Sequence, residues 1–150
     1  MQLSQHFSLE ELVASETAAR QGIDNTPSTG TLTNLIRLAE TLERARRALD
    51  NHAMLITSGY RSETLNRVVG GSLSSMHTLG LAADFICPSF GSPFEVCRQL
   101  VRAQVPLDQL ILEFAEWTHL GLASAGIPLR YQQLTLRDRA TGYELGLRAT

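Results

Sequence analysis

The segment SMHTLGLAAD, residues 75–84, contains a histidine and an aspartate separated by a glycine. The pattern from Ala82 to Cys87 predicts a short strand with Asp84 on one of its faces. His77 lies in the loop just before that strand, and Gly80 permits the tight path that would bring both side chains to one point. Histidine and carboxylate are ligand types that a catalytic zinc ion takes. The segment therefore predicts two ligands of a metal site.

A second segment, EFAEWTHLG at residues 113–121, contributes another histidine on a predicted strand. A catalytic zinc site uses three protein ligands and leaves the fourth position to water. Taken alone, a histidine in an apolar strand is more often a core residue. Together with the first segment, however, it predicts that His119 joins His77 and Asp84 as the third ligand.

The remaining patterns place this site in an α+β domain. Helices are predicted from capping signals and apolar periodicity at Ser8 to Arg20, Leu32 to Leu49, Ser62 to Val69 and Ser92 to Gln104. Strands are predicted at Met54 to Thr57, Ala82 to Cys87, Gln109 to Leu112 and Trp117 to Leu122, with a hairpin in the tail between Leu134 and Leu147. Because helices gather early and strands later, we expect a small, mostly antiparallel sheet with helices packed on one side.

Composition limits the possible functions. The 150 residues suit one domain, 1–150, and a hydrophobic fraction of 43% is ordinary for a globular protein. A net charge of -2 gives no basic surface for nucleic acid and no polybasic membrane patch. Two cysteines, Cys87 and Cys97, are too few for a disulfide framework and are expected to be buried thiols.

The N-terminal sequence MQLSQHFSLEEL lacks the basic and apolar regions of a signal peptide. No apolar run approaches the roughly 20 residues that span a bilayer. We therefore expect synthesis in the cytoplasm without a signal peptide and no membrane partner.

The order of several short motifs resembles the zinc D-alanyl-D-alanine carboxypeptidases. These motifs are Ser58-Gly59-Tyr60-Arg61-Ser62, Leu65-Asn66, Gly70-Gly71, Ser75-x-His77-x-x-Gly80-x-Ala82-x-Asp84 and Trp117-x-His119. The resemblance covers about Phe7 to Leu122 and implies the hedgehog-like metallopeptidase fold. It also implies that His77, Asp84 and His119 are zinc ligands.

The same resemblance implies cleavage of peptides that contain D-amino acids, chiefly the stem peptides of bacterial peptidoglycan. Members of the family include carboxypeptidases, dipeptidases and phage-type endolysins. We therefore expect a peptidoglycan stem peptide as the partner, a monomeric enzyme and action at the bacterial cell wall. A phage origin would suit the missing signal peptide.

Two carboxylates compete for the role of general base. In hedgehog-like members the catalytic glutamate precedes the third ligand by six residues, the position of Glu113. In dipeptidase-type members it precedes that ligand by three residues, the position of Glu116. Asp108 followed by strand-like residues and then Glu113 fits the first spacing better, and Glu116 remains the alternative.

Three further side chains are candidates for substrate contact. Arg61 follows a predicted strand, and its planar guanidinium could stabilise an oxyanion or bind a substrate carboxylate. Ser75 is expected to orient His77 or to hydrogen-bond the substrate backbone. Trp117, the only tryptophan, is expected either to line the cleft or to pack in the core.

The sequence thus predicts metal-assisted hydrolysis of a peptide bond, with Glu113 as base and Arg61 at the oxyanion. One alternative is a different bond, cut by an L,D-peptidase or an endopeptidase. Another is a catalytically silent, zinc-stabilised binding module with the hedgehog-like fold. The candidate bases at Glu113 and Glu116 argue against the silent module.

Overall fold

The computed structural model describes residues 1–149, which form helices early in the chain and strands later. The helices are α1 (Leu9–Val13), α2 (Glu16–Gln21), α3 (Thr29–Ala48), α4 (Glu63–Val68) and α5 (Pro93–Arg102), with a 3-10 turn at Met76–Leu79. The strands are β1 (Leu55–Ser58), β2 (Ala82–Ile86), β3 (Gln109–Glu113), β4 (Trp117–Gly121), β5 (Gln132–Leu136) and β6 (Tyr143–Leu145). The predicted α+β class is confirmed.

Serine hydroxyls begin all five of these helices by accepting a backbone N–H of the first turn. The single helix predicted from Ser8 to Arg20 is wrong, because Ser15 caps a second helix by accepting the N–H of Ala18 at 3.1 Å. At α5 the predicted capping box is complete, since Glu95 also accepts the N–H of Ser92.

The longest helix, α3, packs an apolar stripe into the main core. Leu35, Leu38, Ala39, Leu42 and Ala45 are fully buried, as the helical spacing of the sequence indicates. Within residues 1–149, no helix has the length and apolar character needed to cross a membrane.

The six strands form one sheet in the order β1-β2-β4-β3-β5-β6. The tail forms the predicted hairpin, in which β5 pairs antiparallel with β6. The prediction of a mostly antiparallel sheet needs correction, because β3 pairs parallel with β5 and the sheet is mixed.

The parallel pair follows from which strand edges are free. β4 already has β2 on one side and β3 on the other, so the chain after β4 passes the start of β3 and adds β5 to its far edge. Asp108 fixes this crossing. Its carbonyl accepts the N–H of Gln132 at 2.9 Å, and its carboxylate accepts Nη2–H of Arg130 at 2.8 Å.

Alternation along the strands gives the sheet two different faces. The core face carries Phe85, Leu112 and Leu120, which are buried with residues of α1, α3 and α5. The other face, called the site face below, carries Asp84 and His119. Cys87 and Cys97 are both buried and free, as predicted.

Candidate metal centre and active site

Strand register brings two of the three predicted ligands together. Asp84 on β2 is directly opposite His119 on β4, so both side chains project from the site face. Oδ1 of Asp84 lies 2.9 Å from Nδ1 of His119. The pairing of β2 with β4 therefore sets the spacing between a carboxylate and an imidazole separated by 34 residues of intervening sequence.

His77 reaches the same point from the 3-10 turn before β2. Its Nε2 lies 3.3 Å from Oδ1 of Asp84. The turn begins at Ser75, whose hydroxyl accepts the N–H of His77 at 3.3 Å. It ends at Gly80, which adopts φ +71° and lies so close to Thr31 that a Cβ would be 2.9 Å from its methyl group. Glycine is therefore required at position 80, as the sequence indicated.

The ring orientation of His77 is fixed by a backbone carbonyl. Nδ1–H of His77 donates to the carbonyl oxygen of Gly59 at 2.7 Å, which leaves Nε2 free to act as a ligand. Gly59 itself packs against α1, where an added Cβ would lie 2.2 Å from the carbonyl oxygen of Leu12. Only glycine fits this close approach without a backbone shift.

The three side chains form a site that fits a zinc ion. One ligand atom from each of His77, Asp84 and His119 lies within 4.8 Å of the others, and all three residues are buried. Two imidazoles and one carboxylate are a donor set that catalytic zinc uses. A buried carboxylate also requires compensation by positive charge, which a metal ion would supply.

The pKa values of the three groups reflect their burial and mutual contact. Burial lowers the pKa of His77, so its neutral form is favoured and Nε2 keeps a lone pair. Burial alone would raise the pKa of Asp84, but its close contacts with the two histidines outweigh burial and hold that pKa well below its usual value. For His119, burial is outweighed by the hydrogen bond to Asp84, and its pKa is raised. A metal would therefore compete with a proton for Nδ1 of His119.

The structure separates the two candidate bases. Glu113, the last residue of β3, is half-buried, and its Oε1 lies 3.7 Å from Nδ1 of His119. Burial raises the pKa of Glu113, and the negative charge of Asp84 raises it further. Glu116 is exposed in the turn between β3 and β4.

That turn has an unusual backbone. Phe114 and Ala115 both have φ +55°, a backbone region that residues other than glycine rarely adopt. The N–H of Glu116 closes the turn by donating to the carbonyl oxygen of Glu113 at 2.9 Å. Such residues cost on the order of 1–3 kcal/mol each and cluster at functional sites. The turn directs Glu113 and Glu116 to different surroundings.

Arg61 lies at the edge of the metal centre in a fixed orientation. Its Nη2 is 3.9 Å from Oδ2 of Asp84. Nε–H donates to the hydroxyl of Ser58 at 3.3 Å, and Nη1–H donates to Oδ1 of Asn66 at 3.0 Å. Asn66 is in turn held by the carbonyl of Ser72, to which its amide donates at 2.9 Å. The arginine is thus positioned by neighbours on both sides.

The two remaining candidates have different surroundings. Ser75 is half-buried and caps the turn that carries His77, so a structural contact is present, while its contact with substrate stays a prediction. Trp117 is half-buried directly opposite Glu113 and packs edge-on against Phe114, with ring centroids 5.3 Å apart. Its indole Nε1 is buried without a hydrogen-bond partner among residues 1–149.

The mixed sheet of this α+β fold carries a buried His-Asp-His set that could hold a metal ion, with a glutamate beside it, an arrangement typical of metal-dependent hydrolases. The family model described as Peptidase M15 matches residues 5–121. The chain therefore belongs to the M15 peptidases, which resemble zinc D-Ala-D-Ala carboxypeptidases and are zinc enzymes. A search among curated proteins gives no match.

The sequence did not indicate every residue that positions the site. The carbonyl of Gly59 and the hydroxyl of Ser58 each hold a site side chain. Ser58 and Gly59 belong to the same motif as Arg61, at the end of a predicted strand. That position was the only feature of the sequence that could have marked them as site residues. Their partners could be identified only from the folded structure.

Proposed function

We propose that the protein is a zinc peptidase that hydrolyses peptides containing D-amino acids in bacterial peptidoglycan. The observation that carries this proposal is the half-buried Glu113 carboxylate beside the buried ligand set, 3.7 Å from Nδ1 of His119. A structural metal site needs no such base. Membership in a peptidase family supports the same conclusion.

When bound by His77, Asp84 and His119, zinc would polarise the scissile carbonyl and lower the pKa of a water ligand. In this proposal Glu113 would take a proton from the attacking water and pass it to the leaving amine. Its raised pKa, caused first by burial, brings the carboxylate closer to the pH at which proton transfer in both directions is efficient.

Arg61 is the second active group in this proposal. Its guanidinium remains charged at all relevant pH values, although burial lowers its pKa. Ser58 and Asn66 hold two of its nitrogens and fix the plane of the group. A fixed fork near the ligand set is suited to stabilising the oxyanion that develops during hydrolysis, or to binding the terminal carboxylate of a peptide.

The substrate in this proposal is a peptidoglycan stem peptide, cleaved by a D,D-carboxypeptidase or an endolysin-type endopeptidase acting as a monomer at the cell wall. The match to the M15 family supports this substrate class. The test is incubation of the zinc-loaded protein with purified peptidoglycan and with defined muropeptides, followed by mass spectrometry of the products. Release of free D-amino acids would indicate a carboxypeptidase. Cleaved cross-links or internal stem-peptide fragments would indicate an endopeptidase.

The catalytically silent binding module makes a different prediction in the same experiment. It would bind zinc and sediment with peptidoglycan but release no product. Chelated protein and the Glu113→Gln variant serve as matched controls for the catalytic reaction. If the zinc-loaded wild type releases no product from peptidoglycan or muropeptides, the proposed function is wrong.

A further inference from the structure

The site face continues beyond the metal centre onto the last two strands. Asp84, His119, Ile111, Leu134 and Leu145 are successive partners across β2, β4, β3, β5 and β6. Directly paired residues project from the same face of a sheet. One row of side chains therefore runs from two metal ligands to three apolar residues.

A second row lies two residues further along the strands, on the same face. Trp117, Glu113, Leu136 and Tyr143 are successive partners across β4, β3, β5 and β6. Adjacent strands are about 4.8 Å apart, so the backbones of Glu113 and Tyr143 are separated by about 10 Å. Ile111, Leu134 and Leu136 are buried together and form an apolar floor between them, with Phe114 packed against it.

Tyr143 lies at the outer end of this floor, and its side chain is largely exposed to solvent. It is 61% exposed, and its hydroxyl has no hydrogen-bond partner in the described part of the chain. Its pKa is raised, first by partial burial and then by the negative charges of Glu113 and Asp84, against an opposing effect of Arg139. The phenol of Tyr143 is therefore close enough to Glu113 and Asp84 for their negative charges to raise its pKa.

The site consequently has two unlike ends. Arg61 follows β1 and stands beyond Asp84, whereas Tyr143 and the apolar floor stand beyond Glu113 on the opposite side. A peptide that crosses the ligand set would meet a guanidinium at one end and an apolar surface at the other. The family match ends at residue 121, before β5 and β6. The position of these two strands beside the site is therefore known only from the structure.

We propose that the exposed side chains of Tyr143 and Leu145, which stand over the buried apolar floor of Ile111, Leu134 and Leu136, form a subsite for an apolar side chain of the substrate. The subsite takes the peptide residue on the side of the scissile bond away from Arg61. Tyr143 packs its ring against that side chain and determines which residues are accepted there. This inference rests on the proposed peptidase function and specifies its substrate selectivity.

The test uses three synthetic peptides, N-acetyl-Lys-D-Ala-D-Ala and its analogues with Gly or D-Leu in place of the first D-Ala. Binding is measured by calorimetry on zinc-loaded Glu113→Gln protein, which should hold the peptides without cleaving them. Affinity should rise from Gly to D-Ala to D-Leu by about fourfold for each carbon buried. Adding Tyr143→Ala should flatten this gradient by weakening D-Leu binding about tenfold while Gly binding changes little, with zinc content unchanged.

Conservative and control substitutions separate packing from folding. Tyr143→Phe keeps the ring and should keep the gradient. Tyr131→Ala removes another exposed tyrosine, one that lines a surface groove with Leu100 and Gln104 away from the ligand set, and should leave the gradient intact. With the catalytic Glu113 restored, Tyr143→Ala should raise KM for the D-Leu peptide while kcat stays within about twofold.

The outcomes also separate this inference from the proposed function. If the wild type binds the peptides with the expected gradient but cleaves none of them, the peptidase proposal fails and the subsite stands. If the wild type cleaves them and Tyr143→Ala keeps the full gradient, the subsite is wrong and the peptidase stands. Absence of binding by all three peptides would overturn the subsite.

Discussion

One carboxylate oxygen of Asp84 contacts both histidines of the ligand set. Oδ1 is 2.9 Å from Nδ1 of His119 and 3.3 Å from Nε2 of His77. The imidazole rings stand at 67° to each other with centroids 5.1 Å apart, so they approach the same oxygen from different directions. Asp84 is therefore the residue on which the geometry of the whole cluster depends.

We expect the wild-type protein to bind one zinc ion per chain, and His77→Ala and Asp84→Asn to weaken that binding at least about 100-fold. Loss of an outer-shell partner costs 10–100-fold in metal affinity, and loss of a direct ligand should cost more. Metal analysis after dialysis against a weak chelator would measure this. His52→Ala, a histidine outside the ligand set, should bind zinc normally. Full zinc occupancy in His77→Ala would show that the ligand assignment is wrong.

Arg61→Ala should keep zinc and fold but lower kcat/KM by about 10²-fold, the effect of losing one oxyanion donor. Arg61→Lys should restore only part of the activity, because lysine lacks the planar fork that Ser58 and Asn66 hold. Steady-state kinetics and zinc content would be measured for both variants. Unchanged kcat and KM in Arg61→Ala would assign this arginine a structural role.

Glu113→Gln should abolish turnover while zinc remains bound, and Glu116→Gln should have little effect. Glutamine keeps the size of the side chain and an acceptor oxygen but cannot take the proton. The half-buried position of Glu113 beside His119 and the exposed position of Glu116 predict this difference. Kinetics of both variants at equal zinc content would decide. An inactive Glu116→Gln with an active Glu113→Gln would reverse the assignment.

Gly71→Ala should reduce activity by about tenfold or more without loss of zinc. An added Cβ would lie 2.0 Å from Oδ1 of Asn66 and 2.7 Å from Nη1 of Arg61, so the hydrogen bond that orients the guanidinium must shift. Gly30→Ala is a suitable control, since its Cβ would meet nothing within 4 Å. Activity of Gly71→Ala equal to that of the control would show that the Asn66–Arg61 contact is dispensable.

Arg130→Gln should lower the free energy of unfolding by about 1 kcal/mol at pH 7, a modest value because Arg130 is exposed. Its hydrogen bonds hold the pKa of Asp108 below the ordinary value. A lowered folded-state pKa stabilises the protein above the unfolded-state pKa of about 3.9, and this contribution disappears as the pH falls through the folded-state pKa. Urea unfolding at several pH values should therefore show a difference from wild type that closes below about pH 4. A constant difference would contradict this linkage.

Local sequence patterns determined the ligand set and most of the helices. The spacing of His77 and Asp84 around Gly80, and the serines at the helix starts, act over a few residues, where backbone geometry leaves few alternatives. Even there the break at Ser15 was missed, because a serine inside an apolar pattern is also compatible with a continuous helix. The hairpin in the tail was predicted from Thr141-Gly142. Its pairing with β3 was not predicted.

Only the tertiary structure decided how distant strands meet. The parallel pairing of β3 with β5 follows from an occupied edge of β4 and from Asp108, neither of which leaves a local pattern. Sequence spacing left Glu113 and Glu116 as alternatives, and the positive φ of Phe114 and Ala115 then gave them different surroundings. Such a backbone is held in place by packing from the rest of the fold rather than by the preferences of those two residues. For the same reason Tyr143, 24 residues beyond His119 in sequence, lies on the face that carries the metal ligands.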